Sequence, residues 1–379
     1  MDRRTLSPGA LEYPEVFIMV RLAKLFAVAV FTVGLIASPI YADVQWNTQS
    51  FAEIVERAQK EDKHVFIDFY AVWCGPCKRL EKVTYKDPKV IDYLNSIIPV
   101  KYDAEKGDGK ILAEKFRVKA YPTLVLLTPD GKEIDRHLGF LDPDKFLLKM
   151  QDYQKGIGTI QYYKAELEKN SDDLELLHTL GMKCADALLA EEAKEYLGKI
   201  IKMDPANEQG YTDQALFALG ETFYSTDAYE EAKSYFDQLL EKFPESKSFD
   251  YALVMLARTH HKMGDEKQCL DTYMQYVNRH PDDPKAMNSF AWFCASRKIG
   301  LDIAPPIAKK AVKLSNESPG ILDTLAEIYY AMGDYEKAVE IEEKAAAKEP
   351  EDVYYKDQII KFLKAALEAS KEEGKHAER

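Results

Sequence analysis

The sequence predicts an α/β domain followed by an all-α superhelix of repeated helix pairs. Three observations carry this. Between residues 43 and 155, β-type apolar runs alternate with helical patterns. From about residue 172, small residues, aromatics and prolines recur at matched intervals. Only one long apolar run occurs in the 379 residues, near the N-terminus, which excludes a multi-span membrane protein. The length suits two to three domains, and 46% apolar residues can build real cores. A net charge of −13, from 64 acids against 51 bases, argues against a nucleic-acid partner, which would need a basic face.

Residues 1–42 read as an N-terminal extension and signal peptide. Arg21 and Lys24 form a positive start, and Leu25 to Ile36 is an apolar stretch of signal length. Pro39 breaks the helix, and Ala42 suits a cleavage position. Met19 reads as the true start of translation, since residues 1–18 carry no pattern. The expectation is an exported, periplasmic or cell-envelope protein. An uncleaved N-terminal membrane anchor is the alternative.

Residues 43–155 form the first domain. Phe51, Ile54, Val55 and Ala58 recur at helical spacing. His64–Tyr70 is nearly continuous in apolar residues and suits a strand buried on both faces. Lys78–Tyr85 continues as a helix, Pro88 opens another, and Ile97–Tyr102 is a second strand. Lys110–Phe116 is helical. Leu124–Thr128 and Glu133–Leu138, joined through Asp130-Gly131, form a hairpin. Asp144–Tyr153 closes the unit as a helix.

The chemistry lies at Trp73-Cys74-Gly75-Pro76-Cys77, which follows the buried strand and opens a helix. On a first helical turn, two cysteines at this spacing bring their sulfurs within bonding range. The unpaired N–H groups and the positive helix end favour a thiolate at Cys74. Pro76 is tolerated because first-turn amides lack helical partners. Cys74 would attack a substrate disulfide and Cys77 would resolve the mixed disulfide. A zinc knuckle would need two further ligands at matched spacing. Cys184, Cys269 and Cys294 are lone, and the seven histidines show no ligand spacing, so no metal is expected. Gly107-Asp108-Gly109-Lys110 lacks phosphate-loop spacing, and no nicotinamide motif occurs, so no cofactor is expected either.

The stretches FIDFYAVWCGPCKRL and VKYDAEKGDGKILAEKFRVKAYPTLVLLTPDGKEIDRHLG strongly resemble thioredoxin. They are similar to exported thioredoxin-like domains, including the C-terminal domain of transmembrane thiol reductases. The resemblance covers roughly residues 45–153 and implies a thioredoxin fold. It implies that Asp68 is the carboxylate buried beneath the active site and Lys101 the lysine that approaches it. Pro122 matches the proline that faces the cysteines in cis, turning the Tyr121 backbone toward the sulfurs to pair with a substrate strand. Trp73 would cap the site by packing. Burial should raise the Asp68 pKa and Lys101 should oppose the rise. Such a group can take the proton of Cys77.

The Gly75-Pro76 dipeptide carries no charge and no histidine, so it adds little thiolate stabilisation. A reductase or isomerase is therefore expected over an oxidase. An exported reductase implies a transmembrane thiol electron donor.

Residues 156–171 read as a linker, 172–350 as helical repeats and 351–379 as a capping helix with a charged tail. Segments 174–205, 213–244, 250–281 and 319–350 carry small residues where paired helices would cross, and each ends in proline. Pro284–Ser318 is a degenerate copy. The set resembles tetratricopeptide (TPR) repeats, which implies a concave groove for a protein or peptide ligand. Phe217, Tyr224, Tyr251, Arg258 and His261 fall where residues would face that groove; aromatics at helical spacing also suit a core. Cys184, Cys269 and Cys294 occupy core positions of different repeats and read as buried structural thiols kept apart from one another.

The expected function is an exported thiol–disulfide oxidoreductase acting on protein disulfides, with the repeats recruiting the client. The alternative is a TPR adaptor or chaperone-like binding protein with an accessory thioredoxin domain. A dedicated reductant of an apocytochrome or another envelope protein is a third, narrower reading.

Overall fold

The computed structural model describes residues 43–377, with side chains to residue 371. The signal peptide, the start at Met19 and the membrane anchor fall on residues 1–42, outside the described residues. No helix among the described residues is long and apolar enough to cross a membrane. The chain divides into two compact units. One takes in residues up to Gly109 with Tyr121–Ile134 and Gly139–Gln154. The other holds Lys110–Ala120, Asp135–Leu138 and Lys155–Arg379.

The sheet is built around β1 (Val65–Tyr70), in which only Tyr70 is not buried. Its parallel neighbour is β2 (Ile98–Asp103) and its antiparallel neighbour is β3 (Thr123–Leu127). β4 (Glu133–Leu138) lies beyond β3, giving the order β2-β1-β3-β4. The register sets Asp68 opposite Lys101. Helix α1 (Phe51–Glu61) begins at a capping box. The Ser50 side chain accepts from the Glu53 N–H, and the Glu53 carboxylate accepts from the Ser50 N–H.

The helix expected over Lys78–Tyr85 is instead α2 (Gly75–Lys82) followed by a 3-10 turn, Thr84–Lys86. The Thr84 hydroxyl leaves the helical pattern to donate to the Leu141 carbonyl. Helices α3 (Pro88–Ser96), α4 (Gly107–Lys115) and α5 (Pro143–Gln154) complete this region. A Cβ at Gly109 would lie 2.1 Å from the Asp103 carbonyl oxygen, so only glycine fits that turn into α4. Phe66, Leu80, Tyr85, Leu94, Leu124 and Phe146 share one core.

The second unit is a series of antiparallel helix pairs. These are α7 (Leu174–Asp186) with α8 (Ala190–Met203), and α9 (Thr212–Ser225) with α10 (Tyr229–Lys242). Next come α11 (Phe249–Lys262) with α12 (Glu266–Arg279), then α13 (Pro284–Arg297) with α14 (Ala304–Leu314). The last pair is α15 (Pro319–Ala331) with α16 (Tyr335–Lys348), covered by α17 (Val353–Ala377). Residues 156–171, expected as a linker, hold α6 (Ile160–Lys169), capped by the Thr159 side chain. Its Ile160, Tyr163 and Leu167 pack on the core of the first repeats, which is why the segment folds. Within the same unit, buried Asp135 accepts from the Ile160 N–H at 2.9 Å and pairs with Lys183 at 2.8 Å.

Small residues sit where paired helices cross. A Cβ on Gly181 would lie 2.4 Å from the Leu197 side chain, and one on Gly220 would lie 2.4 Å from the Phe236 ring. The degenerate copy is still a helix pair, turned by left-handed backbone at Lys298 and Gly300.

Helix α17 docks through buried Tyr355 and Phe362. Beside them lie three buried acids, Asp323 and Glu327 of α15 and Glu342 of α16. Lys361 pairs with Glu327, and the Gln358 amide donates to Glu327 at 2.8 Å and to Asp323 at 3.3 Å. Among the described residues neither Glu342 carboxylate oxygen has a hydrogen-bond partner, and Asp323 and Glu327 are its nearest charges. Burial first, then the charges of Asp323 and Glu327, push Glu342 up to about 8. Burial and Glu327 push Asp323 up to about 6.

Candidate functional site

Strand β1 ends at Tyr70, and four residues later Cys74 caps helix α2. Its extended backbone, φ −68° and ψ 113°, turns the chain into the helix, with Gly75 and Pro76 in the first turn. The Cys77 N–H, an orphan of that turn, donates to Cys74 Sγ at 3.1 Å. Cys74 and Cys77 are joined in a disulfide, the oxidised form of the pair. Cys74 is 2% and Cys77 5% exposed, packed with Ala71, Tyr70 and Tyr121.

Asp68 is 1% exposed in the middle of β1. Its Oδ2 accepts from the Tyr85 hydroxyl at 3.0 Å and lies 3.8 Å from Lys101 Nζ; Oδ1 has no hydrogen-bond partner. Burial pushes its pKa up to about 6, against the pull of Lys101 and the Tyr85 hydrogen bond. Lys101 is itself lowered by burial, which the Asp68 charge opposes. Its ammonium sits among three rings, 4.8 Å from Tyr70, 5.1 Å from Trp46 and 5.6 Å from Tyr85.

The same ammonium makes its closest contact with Glu81, a half-exposed carboxylate on α2. Sequence reasoning missed both Glu81 and Tyr85. A signal for Glu81 existed: it follows Cys77 by four residues on one helix, so the two share a face.

The Tyr121–Pro122 bond is cis, as the thioredoxin resemblance implied. The Tyr121 ring lies 6.0 Å from that of Trp73 in an edge arrangement. Trp73 is 65% exposed, and its Nε1–H donates to the Glu105 carboxylate at 3.0–3.1 Å. Glu105 is a further residue the sequence did not single out.

In the repeats, Phe217, Tyr251 and Arg258 come together with Glu221, Tyr276 and His280 around a cavity of about 470 Å³. Tyr251 is 70% exposed there. The cavity lining does not include Tyr224 or His261, although both were expected to face a groove. The Tyr224 ring packs 5.8 Å from Tyr229, and the His261 ring packs 5.5 Å from Phe293. Tyr224 is nonetheless near enough to Arg258 to feel its charge, so the cavity lining does not split these candidates between two surfaces.

Cys184, Cys269 and Cys294 are free and buried. Burial pushes them up to about 12, 11 and 12, far from a reactive thiolate. Cys269 and Cys294 are less separate than their different repeats suggested. They share one core across α12 and α13, and Cys269 adds to the rise at Cys294. Among the described residues, no group of three or more His, Cys, Asp or Glu side chains is arranged to hold a metal.

Comparison with known proteins agrees with both halves. The thioredoxin-like domain family matches residues 51–154. Tetratricopeptide repeat families match 214–246, 251–283 and 321–354. A thiol:disulfide interchange protein DsbD from Pectobacterium atrosepticum is 32% identical over 108 residues, covering 27% of this chain and 19% of that protein. The chain thus spans about a fifth of the length of such curated relatives. A Bacteroides thetaiotaomicron protein, reported as a candidate disulphide-isomerase, is 42% identical. The match covers 30% of this chain and 95% of that one, with a TM-score of 0.28. YrrB, a TPR protein with an unusual peptide-binding site, is 20% identical, covering 56% of this chain and all of that one, with a TM-score of 0.39.

Proposed function

We propose that this chain, a thioredoxin-like domain joined to tetratricopeptide repeats, is an exported oxidoreductase of protein disulfides whose repeats engage the client. The observation that carries the reading is the Cys74–Cys77 disulfide closed across the first turn of α2.

In the reduced form, the Cys74 thiolate attacks one sulfur of a client disulfide. That S–S bond breaks, the distal client sulfur leaves as a thiolate, and a mixed disulfide remains. Asp68 accepts the Cys77 proton, a role assigned from the thioredoxin resemblance and supported by its pKa near 6. The Cys77 thiolate attacks Cys74 Sγ, and the second client sulfur leaves. Asp68 returns its proton to solvent, and both client thiolates take protons from water. The client gains two electrons and the dithiol loses two, returning to the closed disulfide. An external dithiol donor, spanning the membrane if the protein is exported, resets the pair.

Cys74 is only 2% exposed, with Tyr70 and Tyr121 packed against it and the exposed Trp73 ring beside Tyr121. We assign Trp73, Tyr121 and Pro122 to client binding, and Phe217, Tyr251 and Arg258 to partner binding in the repeats. Tyr224, which feels the Arg258 charge, and His261 are assigned to the same partner-binding role. The uncharged Gly75-Pro76 dipeptide favours reduction or isomerisation over oxidation.

A second reading, an adaptor whose redox domain is accessory, is favoured by the 470 Å³ cavity around Tyr251. One experiment separates them. The Cys77→Ala variant should trap clients on Cys74 as mixed disulfides, while the wild type reduces insulin with dithiothreitol. Absence of insulin reduction, with reversible closure of the pair intact, would favour the adaptor. Capture that survives Cys74→Ser would refute the assignment of the nucleophile.

A further inference from the structure

We propose that the outer face of α17 joins two copies of this chain in an antiparallel helix pair. The inner face of α17 is already committed. Tyr355 and Phe362 are buried, and Lys361 and Gln358 are held by Glu327 and Asp323. These contacts fix the rotation of the helix and leave a defined face outward. On that face Val353 is 62%, Ile360 48%, Leu363 51% and Leu367 56% exposed. At 3.6 residues per turn the four fall within an arc of about 80°. Their spacing of seven, three and four is that of a two-helix seam. A helix that merely ended the array would carry a polar outer face there. Among the described residues nothing covers the stripe.

The charges beside the stripe select the occupant. Asp357 and Lys364 lie on the same flank, seven residues apart. A twofold axis near Ile360 brings Asp357 of each copy to Lys364 of the other, so two ion pairs form from one self-complementary pattern. The same axis sets Val353 against Leu367 and Ile360 against Ile360. It also lays the methylene stem of Lys356 along Leu363. A parallel pair would instead set Lys356 against Lys356 within the seam. A second copy in antiparallel orientation therefore satisfies both the apolar and the charged positions. The stripe spans about 21 Å along the helix, at 1.5 Å per residue, so the association is modest and concentration-dependent.

The test is sedentation-based measurement of mass against concentration on the full chain, by analytical ultracentrifugation. The wild type should pass from monomer to dimer as concentration rises. Ile360→Glu with Leu363→Glu, two exposed positions, should remain monomeric with unchanged helical circular dichroism. Asp357→Lys alone and Lys364→Asp alone should each weaken the dimer at least about threefold, the scale of an exposed ion pair. The two changes together should restore wild-type affinity. A wild type that stays monomeric at every concentration would overturn the proposal and leave the face to a different protein or a lipid surface. A dimer that survives the double glutamate variant, or single charge reversals that the double change does not rescue, would overturn the antiparallel seam.

Discussion

Asp68 in β1 and Glu342 in α16 are both carboxylates with almost no solvent contact, and both hold their proton to higher pH than an exposed carboxylate does. Desolvation is the largest cause in each case. Their neighbours differ. Asp68 faces a lysine 3.8 Å away and a tyrosine hydroxyl, which moderate the rise to about 6. Glu342 faces two further acids, which add to the rise and take it to about 8. Asp68 also lies on the strand that leads directly into the cysteine pair, whereas the Glu342 cluster lies under the terminal helix with no reacting group beside it. A perturbed acid thus marks chemistry only where something nearby can use the proton.

Substitutions can break or sharpen that contrast. The largest effect is expected at the sulfur. Cys74→Ser should lower insulin reduction by about 10³-fold or more, since the covalent route is lost. Glu342→Gln should leave the rate as it was; a matching fall would mean the acid cluster participates after all.

Next comes stability. Glu342 binds its proton more tightly in the native chain than in the unfolded one. Its favourable contribution is full below pH 4.5 and drains away as pH rises through about 8. Glu342→Gln should therefore stabilise the helical unit by up to about 5 kcal/mol at pH 9, at 1.36 kcal/mol per pKa unit, and by little at pH 4. Urea midpoints at the two pH values measure this; equal shifts at both would show that ionisation is not the cause.

Asp68 follows the same sign over a lower window, full below 3.8 and lost through about 6. Asp68→Asn should add about 3 kcal/mol at pH 8 by the same conversion. Unlike Glu342→Gln, it should also slow turnover and erase a step near pH 6 in the rate profile. Stabilisation with an unchanged rate profile would reduce Asp68 to a buried acid of no redox consequence.

The smallest effect is mechanical. Gly220→Ala sets a methyl against the Phe236 ring and should cost about 1–3 kcal/mol with no change in insulin reduction.

Much of the redox site was legible in one dimension because its signals are local or lie in adjacent strands. The cysteine pair needs one helical turn. Asp68 and Lys101 stood out through the family resemblance, and the strand register then set them opposite each other. Glu81 escaped because its partner lies twenty residues away on a strand, so their meeting depends on how α2 lies over the sheet. The acid cluster escaped for a related reason. Asp323 and Glu327 at helical spacing carry no local signal of burial, and only the tertiary structure shows them buried beside Gln358 and Lys361 of α17. Residues 156–171 look polar enough for a linker, yet three apolar side chains in α6 suffice to seat it. Tyr224 and His261 lie outside the lining of the Tyr251 cavity, each beside a neighbouring ring, and a position on the right helix does not by itself fix which neighbour a ring packs on.

Lys101 stands between an inner acid and an outer one, and only the outer one meets water. A visiting chain with a basic group near its own cystine would occupy Glu81 and release the ammonium inward, loosening the hold of Asp68 on its proton. An acidic visitor would leave the ammonium where it is. The readiness of the interior would then follow the surface charge of whatever arrives, before any sulfur has been touched.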